Sequence, residues 1–132
     1  MDMLSIAEVA ARHRVTLLLQ HGSTVSGHVH ARSDLDIAAL FEADNVSLAD
    51  VAALGADLQG LNPGREIDVA VLNHADPLFL KLIIEKCRLL YGSPRRLAEL
   101  GMYAYKRYQD HRRFLALEQS YVKRALQRMG AG

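Results

Sequence analysis

The first apolar residues of the chain recur at the interval of one helix face: Ile6, Val9 and Ala10. This spacing predicts a helix from Ser5 to Arg12, with Ser5 and Glu8 in the positions of an N-terminal capping box. A different pattern follows, because the run from Val15 to Gln20 is short, almost wholly apolar and partly β-branched. Such a run is typical of a strand that is buried inside a sheet.

Two later segments alternate in polarity, as strands with two different faces do. In residues 35–41 one face holds Leu35, Ile37, Ala39 and Phe41, and the other continues from Asp34 through Asp36, Ala38 and Leu40. In residues 66–72 one face holds Ile67, Val69 and Val71, and the other Glu66, Asp68 and Ala70. Both segments are therefore predicted to be strands with acidic residues on one face.

Three further helices are predicted over residues 44–60, 77–91 and 94–129. The first has apolar residues at helical spacing between cap-type residues and a glycine. The second begins at Pro77, which is tolerated at a first helical position, and ends at Gly92. The third begins in the same way and runs almost to the end of the chain. Residues 23–28 are predicted to form a turn or a short helix after the first strand.

This order of elements predicts an α/β (α+β) layer architecture with its helices concentrated toward the C-terminus. A chain of 132 residues can bury a core without disulfides or a structural metal. We expect one domain over residues 1–132, with a sheet region at 1–76 and C-terminal helices at 77–132.

The charge of the chain is nearly balanced in total but unevenly distributed. Residues 1–80 hold 4 Lys and Arg against 11 Asp and Glu, whereas residues 81–132 hold 12 against 4. An acidic half suited to cations and a basic half suited to an anionic partner are one interpretation, and solvated helix faces are the other. The single Cys87 offers no internal disulfide, and no apolar run is long enough for a signal core or a membrane span. The sequence predicts a soluble, cytoplasmic chain that does not enter a membrane.

The acidic residues of the two alternating strands suggest a metal site. Asp34 and Asp36 are two apart in a strand, so their side chains point to the same side. If the strands are neighbours, Asp68 joins them, and three close carboxylates favour a bound cation. Hard oxygen ligands suit Mg²⁺, which commonly binds one or two carboxylates together with substrate phosphates. Gly22 and Ser23 follow a strand and offer N–H groups and a hydroxyl to a phosphate. Together these residues predict phosphoryl or nucleotidyl transfer.

Other kinds of site are less well supported by the residues. Asp34, Asp36 and Asp68 could instead be solvated strand residues. The histidines near Gly22 are interpreted as loop residues, and no zinc-binding or serine-hydrolase motif occurs in the chain. A series of tyrosines and basic residues between 103 and 121 could bind nucleic acid, but its spacing favours a contact with protein. Nucleic acid is therefore not an expected partner.

The spacing of these motifs resembles the minimal nucleotidyltransferase (MNT) branch of the polymerase β superfamily. The matching residues are Gly22-Ser23, Gly27, Ser33, Asp34-Leu35-Asp36 and Glu66-Ile67-Asp68. The resemblance continues through residues 77–92 and the long final helix, and so covers nearly the whole chain. It implies a polymerase β-like nucleotidyltransferase fold: a small mixed sheet with helices packed on it and a long C-terminal helix.

The resemblance also implies an activity and the residues that perform it. Its members transfer a nucleoside monophosphate, usually AMP from ATP, to a hydroxyl group. Asp34, Asp36 and Asp68 are the implied catalytic residues and metal ligands, with two Mg²⁺ ions expected and ATP as the donor substrate. Asp68 is also implied in deprotonating the acceptor. Gly22 and Ser23 are the implied nucleotide-binding residues. Many relatives carry a basic residue soon after Gly-Ser, where this chain has residues 24–26 without charge.

Three functions are consistent with this resemblance. The first is an antitoxin that adenylylates a tyrosine of a HEPN-domain ribonuclease toxin, as small standalone members do. The second is a small-molecule nucleotidyltransferase of the aminoglycoside type, although such enzymes usually carry an added domain. The third is a non-catalytic antitoxin that blocks its toxin by binding. The expected partners are ATP and a HEPN-domain toxin, with homo- or hetero-oligomers formed through the C-terminal helices.

Overall fold

The computed structural model describes residues 2–22 and 34–130 and contains four helices and four strands within them. The helices are α1 (Met3–Arg12), α2 (Leu48–Leu61), α3 (Pro77–Glu85) and α4 (Pro94–Gly130). The strands are β1 (Val15–His21), β2 (Leu35–Phe41), β3 (Ile67–Val71) and β4 (Arg88–Tyr91). The predicted helix-turn at 23–28 lies outside the described residues.

The four strands form one mixed sheet in the order β3-β2-β1-β4. β1 lies in the middle and pairs antiparallel with both β2 and β4. β2 and β3 are parallel, and the crossover between them contains α2. This is the α/β architecture with a small mixed sheet and a long C-terminal helix that the sequence predicts.

Helices cover both faces of the sheet, and the alternation along β2 separates the two cores. One core packs α1 and α2 against Leu35, Ile37, Ala39 and Phe41. The other packs α3 and the first part of α4 against the face that carries Ala38. The assignment of β2 residues to opposite faces is therefore confirmed. Because Asp36 precedes Ala38 by two residues, it lies on the face that α3 and α4 cover.

α1 begins earlier than predicted and with a different cap. Its N-cap is Asp2, whose side chain accepts a hydrogen bond from the backbone N–H of Leu4. Ser5 lies inside the helix and donates its hydroxyl to Asp2. The predicted capping box of Ser5 and Glu8 is therefore wrong, because an acidic side chain upstream caps the first turn instead. A capping box does occur in α2, between Ser47 and Asp50.

The prediction of a helix over residues 77–91 is also wrong in its second half. α3 ends at Glu85, and residues 88–91 form the edge strand β4. The short apolar run there is compatible with either structure. Pairing with β1 decides between the two structures, because β1 provides hydrogen-bond partners for the β4 backbone. In this strand Leu90 is buried, and Leu89 and Tyr91 are half-buried. Gly92 then turns the chain with φ of +113°, beside Leu17 and the carbonyl of Thr16.

α4 is much longer than the body it packs on. Only Ala104 is buried in it, and residues 112–130, here called the distal α4 segment, are exposed apart from the half-buried Ala125. Among the described residues, no helix is both long enough and apolar enough to cross a membrane.

Candidate active site

Three polar side chains form a row across three neighbouring strands, at one end of the sheet. His21 of β1 is the register partner of Asp36 in β2, and Asp36 is in turn the register partner of Asp68 in β3. Neighbouring strands lie about 4.8 Å apart, and directly opposed residues point to the same face. The row therefore brings Asp36 and Asp68 together on the face covered by α3 and α4. The sequence predicted that Asp36 and Asp68 are neighbours only if their strands pair. The parallel pairing of β2 with β3 meets this condition.

Gly22 closes one side of this row and leaves no room for a side chain. It adopts a φ of +84°, and a Cβ atom built on it would lie 3.3 Å from Cγ of Asp36 and closer still to Oδ2. Only glycine combines a left-handed conformation with such a close approach to a carboxylate. The backbone at the end of β1 is thus packed closely against the carboxylate of Asp36.

Asp34 lies just before β2 and is exposed. The start of β2 is held against β3, because the N–H of Leu35 donates to the carbonyl of Glu66 at 2.8 Å. Within residues 2–22 and 34–130, no three His, Cys, Asp or Glu side chains are gathered closely enough to hold a metal ion. The register thus pairs Asp36 with Asp68, while the side chain of Asp34 does not complete a cluster of three.

The carboxylate pair fits Mg²⁺ by its chemistry. Asp36 and Asp68 offer oxygen ligands on two adjacent strands, and Mg²⁺ is commonly held by one or two carboxylates and completes its shell with water and substrate phosphates. Ser23, predicted to bind nucleotide, lies outside the described residues.

His21 was not among the predicted site residues. Its ring lies at 88° to that of Phe79, with centroids 6.4 Å apart, an edge-to-face arrangement. Burial lowers the pKa of His21 below its ordinary value, against an opposing influence from the charge of Asp36. The signal was present in the sequence, because His21 follows the buried Leu19 by two residues and directly precedes Gly22.

A cleft of about 440 Å³ opens beside His21, between the end of β1 and α3. Apolar side chains of α3 form much of its wall, and Glu85 and Lys86 lie at the helix end. α3 is fixed at its other end by Asp76, which accepts hydrogen bonds from the N–H groups of Leu78 and Phe79. The cleft therefore adjoins the carboxylate row and offers space for an apolar or aromatic group.

The basic and aromatic side chains of α4 lie partly against α3. The ammonium of Lys81 lies 4.8 Å from the centre of the Tyr108 ring, and Arg112 approaches the same ring at 6.0 Å. A hydrogen bond with Glu85 raises the pKa of Lys81, so its positive charge is maintained. The contact of Lys81 with Tyr108 thus joins α3 to α4, whereas that of Arg112 with Tyr108 lies within α4.

Comparison with protein families gives a match over most of the chain. The model described as polymerase beta, nucleotidyltransferase, matches residues 5–96, which include β1 to β4 and the carboxylate row. The chain belongs to this family. No curated protein matches the chain closely enough to count as a relative.

Solved structures resemble this nucleotidyltransferase along almost its full length. One is a chain of a crystal structure of a toxin-antitoxin with AMP-PNP, with a TM-score of 0.74, 18% identity, and coverage of 96% of this chain and 99% of that one. A second comes from the tri-AMPylated Shewanella oneidensis HEPN toxin in complex with MNT antitoxin, with a TM-score of 0.66, 16% identity, and 94% and 95% coverage. A third, from a toxin-antitoxin MntA-HepT structure, has a TM-score of 0.66, 16% identity, and 94% and 96% coverage. These likenesses establish a shared fold that includes α4.

Proposed function

We propose that this protein is a Mg²⁺-dependent nucleotidyltransferase that moves AMP from ATP to a hydroxyl group, most specifically a tyrosine of a cognate HEPN-domain toxin. In this role it is an antitoxin, and residues 1–132 act as one nucleotidyltransferase domain. The observation that carries the proposal is the register of β2 and β3, which sets Asp36 beside Asp68 next to the close approach of Gly22.

The reaction needs groups that bind a triphosphate and expose its α-phosphorus. The acceptor oxygen forms a bond to that phosphorus, the bond to the bridging oxygen breaks, and pyrophosphate leaves. Mg²⁺, when bound, neutralises charge on the phosphate oxygens. Asp36 and Asp68 would hold it from two adjacent strands, with Asp34 as the third proposed ligand. Asp68 lies on the edge strand β3 and is exposed, so it is placed to accept the proton of an incoming hydroxyl.

The proposed donor site lies on the β1 side of the row. The backbone at the end of β1 and the Ser23 hydroxyl are the groups proposed to bind the β- and γ-phosphates, because N–H groups and hydroxyls donate hydrogen bonds to phosphate oxygens. Gly22 lets this backbone approach Asp36, so phosphate and metal ligand meet without an intervening side chain.

The proposed acceptor follows from the solved structures of the same fold. One of them contains AMP-PNP, a second contains a tri-AMPylated HEPN toxin, and both are toxin–antitoxin complexes. A chain of this family and fold, with the carboxylate pair in register, is suited to the same pairing.

The proposal is tested with the purified chain, ATP labelled at the α-phosphate, Mg²⁺, and the product of the neighbouring gene, which we expect to be a HEPN-domain protein. We expect label on a tyrosine of that protein, identified by mass spectrometry. EDTA should abolish the labelling, and γ-labelled ATP should give none, because pyrophosphate carries that label away. Absence of labelling on the HEPN-domain protein, with labelling of a kanamycin-type acceptor instead, would favour the small-molecule alternative.

Asp36→Asn and Asp68→Asn separate catalysis from simple blocking. Each retains the shape of the side chain but removes the charge that a metal needs, so labelling should fall by about 10³-fold. Glu42→Gln is the matched control, because Glu42 is an exposed carboxylate just beyond the other end of β2. If Asp36→Asn still neutralises the toxin fully in cells, the protein acts by binding, and the catalytic proposal is wrong.

A further inference from the structure

The distal α4 segment has no packing partner within the described part of this chain. Its large apolar residues are exposed, among them Leu117 at 71% and Leu126 at 62%. Single exposed apolar residues are normal on a soluble protein, but a contiguous apolar surface marks a place of interaction. At 1.5 Å per residue, the nineteen residues extend about 28 Å.

The apolar residues of this segment form two adjacent rows on one side of the helix. The rows are Phe114, Leu117 and Tyr121, and Leu115, Val122, Leu126 and Met129. Each row follows the three-, four- and seven-residue spacing of a helix face that packs against another helix. An open surface depression runs along the second row. It is lined by Leu115, Val122 and Leu126 together with Glu118, Gln119, Lys123 and Gln127.

The charge of the segment indicates what kind of surface it fits. It contains five basic residues, Arg112, Arg113, Lys123, Arg124 and Arg128, and a single acidic one, Glu118. Two copies packed side by side through this face would bring two basic helices together, at a cost from like-charge repulsion. A partner with acidic residues around an apolar helix face complements both features.

We propose that the distal α4 segment is the docking surface for an acidic, α-helical partner protein, which packs a helix along the two apolar rows. This inference rests on the proposed function, because the docked protein is then the acceptor of AMP. A stable interface covers roughly 800 Å² on each partner, and the exposed side chains along about 28 Å of helix can supply much of that area. The segment thus holds the acceptor while the sheet performs the transfer.

The test uses the full chain and the product of the neighbouring gene, which the proposed function expects to be a HEPN-domain protein. A Val122→Glu, Leu126→Glu double variant places two charges in the apolar face without touching the sheet. We expect its dissociation constant, measured by calorimetry, to rise at least about tenfold, since charges in the centre of an interface stay unpaired. The control is Ala116→Glu with Ser120→Glu, which adds the same charges on the opposite side of the helix. At high ionic strength, where attraction to an acidic partner is screened, this control should bind like the wild type.

The acidic character of the partner is tested by salt. Lys123→Gln with Arg124→Gln should weaken binding more at low than at high ionic strength, because the attraction it removes is screened by ions. Equal binding of this variant and the wild type at low salt would show that the partner surface is not acidic.

Several outcomes would overturn the docking surface. One is that the wild-type chain does not bind the HEPN-domain protein. Another is that the Val122→Glu, Leu126→Glu variant binds this protein as tightly as the control does. A wild-type dimer in sedimentation, disrupted by the Val122→Glu, Leu126→Glu variant, would show that a second copy of this chain covers the face instead. Binding of phosphatidylglycerol vesicles by the wild type but not by this variant would show that the face binds membranes rather than a protein.

Failure of the proposed function gives a different pattern. If Asp68→Asn and the wild type bind the HEPN-domain protein equally, but the wild type transfers no AMP to it, the docking proposal is supported and the catalytic proposal is wrong. If transfer occurs at the same rate and KM with the apolar-face variant, catalysis stands and docking through α4 does not.

Discussion

The sheet site and the distal α4 segment position their side chains by opposite means. Asp36 lies in a strand paired on both sides, and its neighbours Ile37 and Ala38 are fully buried on opposite faces of the sheet. The distal segment is a helix whose side chains contact almost nothing else in the described chain. A carboxylate that must hold a metal ion needs a rigid setting, and packing supplies it. A docking surface needs exposed area instead.

The two regions also differ in charge. The row in the sheet carries two carboxylates and a histidine, whereas the distal segment is strongly basic. The net charge of +1 is therefore the sum of an acidic N-terminal half and a basic C-terminal half. The distribution of charge over the fold is therefore a better guide to binding partners than the total charge.

The largest expected difference between the regions is in stability. Leu18→Ala removes a fully buried side chain at the centre of the sheet and should lower the free energy of unfolding by about 3 kcal/mol. Leu117→Ala removes a side chain that is 71% exposed and should change it by less than about 0.5 kcal/mol. Urea denaturation followed by circular dichroism measures both. Equal effects would show that the distal segment packs on the body.

Alanine substitutions at two glycines with positive φ distinguish an effect on the geometry of the site from an effect on stability. Gly22→Ala and Gly92→Ala each force alanine into a left-handed conformation, at about 1–2 kcal/mol of stability. The Gly22 methyl would also strike Asp36, so AMP-PNP binding should weaken at least about tenfold. The Gly92 methyl strikes Leu17 and the Thr16 carbonyl, away from the row, and should leave binding per folded molecule unchanged. Equal loss of binding in both variants would contradict the role given to Gly22.

A smaller effect concerns pH and the packing of α1 against α2. Asp57 accepts hydrogen bonds from His13 at 2.6 Å and Arg12 at 3.1 Å, and chiefly the His13 bond lowers the pKa of Asp57 below its ordinary 3.8. The unfolded chain therefore binds a proton more readily, so this contribution is complete above pH 3.8 and is lost as the pH falls through the folded pKa. Asp57→Asn should flatten the fall of stability in acid. Glu99→Gln, which removes only an exposed pair with Arg95, should alter it less.

The smallest expected effect is that of removing the distal segment on the stability of the body. A chain ending at His111 keeps Ala104 and the α3 contacts, so its unfolding free energy should stay within about 0.5 kcal/mol of the full chain. AMP-PNP binding should also persist. Calorimetric unfolding and titration check both. A marked loss of either would show that the two regions are not independent.

Most of the fold could be predicted from local patterns, and the failures have a common cause. The alternation of β2 and β3 and the helical spacing of α1 and α2 identified these elements, because burial of one face selects the period. The edge strand β4 was missed, since its four residues are equally apolar in a helix or a strand. Only hydrogen bonding to β1 decides it, and that partner lies about seventy residues earlier.

By itself, the sequence determined the face on which Asp36 and Asp68 lie and the resemblance of their spacing to a nucleotidyltransferase. Those properties depend on periodicity and on motifs, both of which are local. Only the tertiary structure decided that β2 and β3 are parallel neighbours, that Asp36 faces both His21 and Asp68, and that Gly22 presses against Asp36. Only the tertiary structure, too, decided where α3 and α4 pack and where α4 stands free. Register and packing join residues far apart in the chain, so no local pattern can specify them.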